Sequence, residues 1–355
     1  MNSKFLAVIL IVALLAGVWV FNNRAGQTST ATTASTSMPS QDSSDSSDET
    51  IGSMPNQATL GGNRPSLLDS DDDEIENRKA VPASQQFKTA AEAIDAVKKG
   101  AVDYDDFLLE GFVQLGDCSW CNTFYPEVTK LLRDPSLGID ERSYYGELLA
   151  VSGKLDNIKE IVKSLEGSKN DDEKDMYAES LELAVGGNDM VQYLSSFMDN
   201  ANDSLRESAV SAISNQGSRL AAELLYKDAV SGAGKDHDYY SLGIGFGEMV
   251  PDDDALPFLQ DLVIKRAPHS DLAIKALINS GLPGLTIVFD SLASETDEAK
   301  GKKLLTDASD HVISDDPVVK FLTKASQNSN YPQFLKDFAK QSLEEAEADE
   351  LDDDE

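Results

Sequence analysis

The body of this chain is predicted to be all-α, an array of stacked helical hairpins, and three observations point to that class. From residue 87 onward the apolar residues recur at helical spacing. No alternating strand segment of useful length interrupts them. Helix-length stretches of 11 to 16 residues alternate with short Gly, Asn, Asp or Pro breaks, and the breaks return at a nearly fixed interval. Composition narrows what such an array can do. Of 355 residues, 30 are Lys or Arg and 63 are Asp or Glu, a formal charge of −33. A protein that neutralises nucleic-acid phosphates needs a basic face, so nucleic-acid binding is excluded as the expected function. Two cysteines provide neither a disulfide scaffold nor a four-cysteine zinc site.

The first element in chain order is apolar. Phe5 to Phe21 is an unbroken run of 17 apolar residues, which as a helix spans about 26 Å, enough for a thin bilayer. Lys4 and the α-amino group precede it and Arg24 follows, a bias that places the N-terminus in the cytoplasm and the rest outside. A cleaved signal peptide is the competing reading, but no A-x-A-like site follows cleanly. Leu14 stands two before Ala16, and Asn23 two before Ala25. Leu15-Ala16-Gly17 begins like a lipoprotein box, with Val18 where the lipidated cysteine would stand. Residues 1–24 are therefore expected to be a signal anchor in an inner membrane, single-pass, with the C-terminal body in the periplasm or another extracytoplasmic space. Residues 25–86 follow as an expected disordered linker. Of the 24 residues from Gln27 to Thr50, 14 are Ser or Thr, and an acidic cluster runs from Asp69 to Glu76. Such a stretch cannot bury enough surface to offset its ordering entropy. An EF-hand register from Asp69 fails, because Glu74 and Ala80 stand where Gly and Glu are needed.

The repeat body is expected over 87–343. Thr89-Ala90-Ala91-Glu92 reads as a capping box opening a helix from Ala90 to Lys99. Breaks then fall at Gly116, Gly153, Gly187, Gly217, Pro251, Gly281 and Ser314, and from Gly153 the steps are 34, 30, 34, 30 and 33. After each comes a second apolar helix: Ile158 to Leu165, Met190 to Phe197, Leu220 to Ala229, Leu256 to Val263, Leu285 to Leu292, and Val318 to Lys324. Glycine at the break ends the first helix in a left-handed conformation. A lone hairpin cannot bury its apolar stripe, so neighbours must stack. In helix length, hinge placement and period, the stretch from Tyr104 to Phe338 resembles the short variant of the HEAT-like repeat family. The resemblance implies a right-handed α-solenoid, and HEAT-like arrays are mostly interaction scaffolds. Some short-variant members are chromophore lyases, and no residue here supports that chemistry. The TPR pattern of Trp and Tyr and the ankyrin T-P-L-H are both absent.

The sharpest local motif is Cys118-Ser-Trp-Cys121, placed after the Leu115-Gly116-Asp117 break so as to open a second helix. A thiol at a helix N-terminus has a lowered pKa, the logic of redox C-x-x-C pairs, while Asp117 beside Cys118 opposes thiolate formation. In an oxidising compartment two close cysteines most simply form a local disulfide. A Cys118–Cys121 disulfide is the first reading, with thiol–disulfide redox activity as the alternative function and metal binding as the third. His237, His269 and His311 lie in different repeats without metal-ligand spacing, so no metal site is expected. Gly243-Ile-Gly-Phe-Gly247 lacks dinucleotide spacing and reads as close packing inside a helix from Tyr239 to Met249; Gly232-Ala-Gly-Lys235 is too short for a P-loop. No G-x-S-x-G elbow occurs. Residues 344–355 hold nine acids and no base, an expected disordered acidic tail. The expectation is a membrane-tethered, extracytoplasmic scaffold that is not an enzyme and uses no cofactor. It would bind a protein with a basic surface through stacked second helices, at residues the sequence does not identify.

Overall fold

A computed structural model describes residues 81–200, 202–232, 243–313 and 315–352. Among them every regular element is helical. Ala83–Gln86 (α1) precedes Ala90–Asp103 (α2), Asp106–Glu110 (α3), Cys121–Leu132 (α4), Ile139–Val151 (α5), Leu155–Gly167 (α6), Asp171–Glu182 (α7) and Asn188–Leu194 (α8). Then come Asp203–Ser214 (α9), Arg219–Gly232 (α10), a π-helical turn at Gly243–Gly247, Leu256–Ile264 (α11), Ser270–Asn279 (α12) and Leu282–Leu292 (α13). Glu298–Leu304 (α14), Asp316–Gln327 (α15) and Gln333–Asp352 (α16) complete the set.

The helices form two layers in chain order. First helices α2, α5, α7, α9, the π turn, α12, α14 and α16 each pack on the next; second helices α6, α8, α10, α11, α13 and α15 lie beside them, with α4 at the N-terminal end. All six second helices expected from the breaks are present. Burial explains the layering. Each helix carries an apolar face that its neighbours cover, as in α6, where Ile158, Ile161, Val162 and Leu165 are buried. Helix α5 is enclosed on all sides, with every residue from Arg142 to Val151 buried. Arg142 lies inside because its whole guanidinium is satisfied: Nε donates to Leu132 O at 2.8 Å, Nη1 to Glu173 at 2.8 Å and Nη2 to the Tyr177 hydroxyl at 2.9 Å.

The hinges follow the glycine logic at Gly116, Gly153 and Gly217, all at positive φ, while Gly281, at φ 71° and ψ −143°, is the N-cap of α13. Gly187 departs from it: at φ −103° and ψ −167° it is the extended N-cap of α8. The hinges are stitched to one another along one edge of the stack. Gln114 and Gly116 donate backbone N–H groups to Val151 and Ser152 carbonyls at 2.6 and 2.9 Å, Val185 to Ala150 at 3.3 Å, and Asp252 to Gly217 at 2.7 Å. Side-chain amides bridge the other gaps. Asn215 donates to Glu182 O at 2.7 Å, and Gln216 donates to Ala184 O while accepting from Gly186 N–H at 2.8 Å. Asn279 donates to Gly247 O and Met249 O, at 2.9 and 3.2 Å, and Gln341 to Ser309 Oγ at 3.1 Å. A period of 30 to 34 residues thus becomes a row of hydrogen bonds between successive breaks.

Four expectations need correction. The folded body begins before residue 87: Ala83 is fully buried and its N–H donates to Gly111 O at 2.7 Å, so α1 belongs to the fold and not to the linker. The capping box also differs in detail. Thr89 accepts from Glu92 N–H at 3.2 Å as expected, but the Glu92 carboxylate accepts from Lys88, one residue outside the cap, and α2 runs on to Asp103. At the other end α16 continues to Asp352, so the helix extends through most of the segment read as tail. Finally, Gly243–Gly247 forms a π turn in place of an α-helix. The glycines there do serve close packing: a Cβ on Gly245 would lie 2.3 Å from Val210 Cγ1 of α9. The anchor segment Phe5–Phe21 and the linker up to residue 80 lie outside the described residues, as do Tyr239, Ser314 and residues 353–355. Among the described residues no helix is long and apolar enough to cross a membrane.

Candidate functional site

Two chemically distinctive places arise in the N-terminal half of the stack. The first is the C-x-x-C corner. The Phe112–Gly116 segment leaves α3 through a turn, with Gln114 and Gly116 at positive φ, and is pinned to the next hinge by the bonds to Val151 and Ser152. Cys118 and Cys121 then close a disulfide (S–S 2.08 Å, Cα–Cα 5.0 Å), and Cys121 is the first residue of α4. Cys121 is fully buried, whereas Cys118 is half-buried. Trp120 between them turns inward. Its indole N–H donates to Phe87 O at 3.0 Å, and its ring meets Phe124 edge-on at 5.2 Å and Phe112 at 6.5 Å. Phe112 stacks on Phe124 at 5.1 Å, and these rings with Phe87 form the core of the N-terminal end. Asp117, which in sequence opposes a Cys118 thiolate, is ion-paired with Lys154, whose ammonium also sits 5.5 Å from the Tyr125 ring centroid. A bridge spanning only three residues removes little chain entropy, about 2 kcal/mol, so its worth as a staple is small for a disulfide.

The second place is a row of carboxylates that runs from α3 across the successive first helices α5, α7 and α9. Glu147 of α5 is 4% exposed and accepts from the Tyr104 hydroxyl at 2.6 Å and from Ser143 at 3.2 Å. Burial pushes its carboxyl up to about 7; the two hydrogen bonds pull it down, and Asp106 and Glu179 add to the rise. Glu182 of α7 also reaches about 7, through burial and then repulsion from Glu179 and Glu207. Burial raises Asp106, with Asp105 adding to it, and raises Glu179, with Asp175 adding to it. Burial and the neighbouring Glu147 drive the Tyr104 phenol far above its usual range. The row therefore runs Asp106, Glu147, Glu179, Glu182, Glu207 over α3, α5, α7 and α9. Among the described residues, the charged groups that shift Glu147 and Glu182 are all acidic. At the end of the row Glu207 meets Arg206, at 3.7 Å.

His237 lies outside the described residues, and His269 is the N-cap position of α12 at φ 57°. His311 is held by Asn279, Nδ1 to Oδ1 at 3.0 Å, with Glu248 3.9 Å from Nε2, and burial lowers its pKa while Glu248 opposes. The Asn279 amide donates to two carbonyls, so its oxygen faces His311 and Nδ1 carries the proton. This is a joint between repeats. Among the described residues no group of three or more His, Cys, Asp or Glu could hold a metal ion. The two cysteines that the sequence singles out are joined here, whereas Glu147, Glu182 and Tyr104 are not among the residues it singles out. A signal for Glu147 exists: it is the one acid in the otherwise apolar stretch from Tyr144 to Val151.

No protein-family model matches this chain, and no curated protein matches it. The functional reading therefore rests on its own geometry.

Proposed function

We propose that the chain is a helical-repeat scaffold, a right-handed solenoid of the HEAT-like kind, that captures a protein partner with a basic surface. In this reading Phe5–Phe21 anchors it in an inner membrane and residues 25 to about 80 tether the array in the periplasm or another extracytoplasmic space. A coil of that length spans roughly 40 Å root-mean-square, which sets the zone the array can search. The observation that carries the reading is the carboxylate row, from Asp106 to Glu207. It repeats along the stack, is shifted at its centre by acidic neighbours among the described residues, and stands on a body of strongly negative charge. Burial raises both Glu179 and Glu182, and an approaching Lys or Arg would offset the added repulsion that Glu182 feels from Glu179 and Glu207. The row lies on the first-helix layer, so the proposed face moves there from the second helices that the sequence favoured.

Proximity labelling from the full-length, membrane-inserted protein tests this. The expected result is a reproducible partner with a basic surface whose labelling falls at least fivefold in the Glu179→Gln, Glu182→Gln, Glu207→Gln variant. Recovery of only the background of an unrelated anchored protein would count against it.

A further inference from the structure

We propose that Cys118 and Cys121 form a thiol–disulfide exchange site that takes two electrons from a dithiol. The two sulfurs differ in access: Cys118 is half-buried at the corner, while Cys121 is fully enclosed. A thiolate can therefore approach Cys118 and not its partner. Cys121 is the residue that leaves well. It opens α4, a helix of 12 residues, where the helix N-terminus stabilises a thiolate. The carboxylate that would discourage anionic sulfur, Asp117, is ion-paired with Lys154. The corner is also held in place without the S–S bond. Gln114 and Gly116 remain bonded to Val151 and Ser152, Trp120 to Phe87 O, and the Cys121 N–H to Cys118 O at 3.2 Å, so the reduced form keeps its shape.

The step balances as follows. One thiolate of the dithiol attacks Cys118 Sγ, a mixed disulfide forms, the Cys118–Cys121 bond breaks, and Cys121 departs as a thiolate. The second thiolate of the dithiol then attacks its own sulfur in the mixed disulfide and expels Cys118. The dithiol is oxidised to a disulfide, the cysteine pair is reduced by two electrons, and the two protons released by the dithiol end on the two cysteines at neutral pH.

The chain has two tryptophans, so Trp19→Phe leaves Trp120, between the two cysteines, as the reporter. A neighbouring disulfide quenches indole emission, and reduction restores it. The full chain with this change is mixed with dithiothreitol at pH 7 without denaturant, in parallel with oxidised glutathione. The expected result is reduction at least tenfold faster than that of glutathione, with the far-ultraviolet circular dichroism unchanged. A cationic peptide carrying Cys-x-x-Cys forms a second arm. Faster reduction by the peptide supports exchange with a protein-borne dithiol, and faster reduction by dithiothreitol supports exchange with a small one. In a third arm, Cys118 in the Cys121→Ser variant should form a mixed disulfide with an aromatic disulfide reagent at least tenfold faster than Cys121 in Cys118→Ser. Reduction no faster than that of glutathione, reduction that requires unfolding, or equal reactivity of the two single cysteines would each overturn the proposal. These outcomes are independent of partner capture.

Discussion

At the scale of single residues, two costly buried groups, Arg142 and Glu147, are answered locally. Arg142 is buried with donors placed on a carbonyl, a carboxylate and a phenol. Glu147 is buried with two hydroxyl partners and no cation, and so its carboxyl rises to about 7. The sign of its linkage follows. The folded pKa lies above the ordinary value of 4.5, so the group's full contribution to stability is present below about 4.5. That contribution is lost as pH rises through 7, at a cost on the order of 3 kcal/mol. Glu182 acts in the same sense. The thermal midpoint should accordingly be higher at pH 5 than at pH 8, and Glu147→Gln should shrink the difference. Calorimetry at the two pH values checks this; an unchanged difference in the variant would show that Glu147 is not the titrating group.

At the scale of elements, the repeat was legible in the sequence because its causes are local. Helical periodicity and hinge residues sit within a few positions of each other, and the positive-φ glycines Gly153 and Gly217 are where the breaks place them. What was illegible depends on neighbours thirty residues away. The amides of Asn215, Gln216 and Asn279 look like ordinary break residues until the preceding hinge supplies their carbonyl partners. The start of the fold was hidden for the same reason, since Ala83 is buried by a bond to Gly111 and not by its own polar surroundings. Gly245 shows both sides. Its packing role was expected, but the π turn was not, because the turn arises from contact with α9 and α12 on either side. Gly245→Ala should therefore cost about 1–3 kcal/mol, since Val210 is held in a packed helix. Denaturant titration measures it, and a midpoint equal to the parent would contradict the close approach of these elements.

At the scale of the whole molecule, two layers joined by a hinge-to-hinge ladder give an array in which each repeat depends on the next. The two candidate sites occupy its N-terminal half. The cysteine corner was legible as a motif, and its asymmetry of burial came only from the fold. The carboxylate row was legible only as an excess of acids, because the sequence does not show which of them align across successive helices. Capture of a basic partner by this row is the central proposal. The most direct measurement is the affinity of the full chain for its captured partner at 50, 150 and 400 mM salt, with and without Glu179→Gln, Glu182→Gln and Glu207→Gln. Affinity should fall at least tenfold over this range in the parent, with a clearly flatter dependence in the triple variant. Equal affinity at all three salt concentrations, or an unchanged slope in the variant, would contradict it.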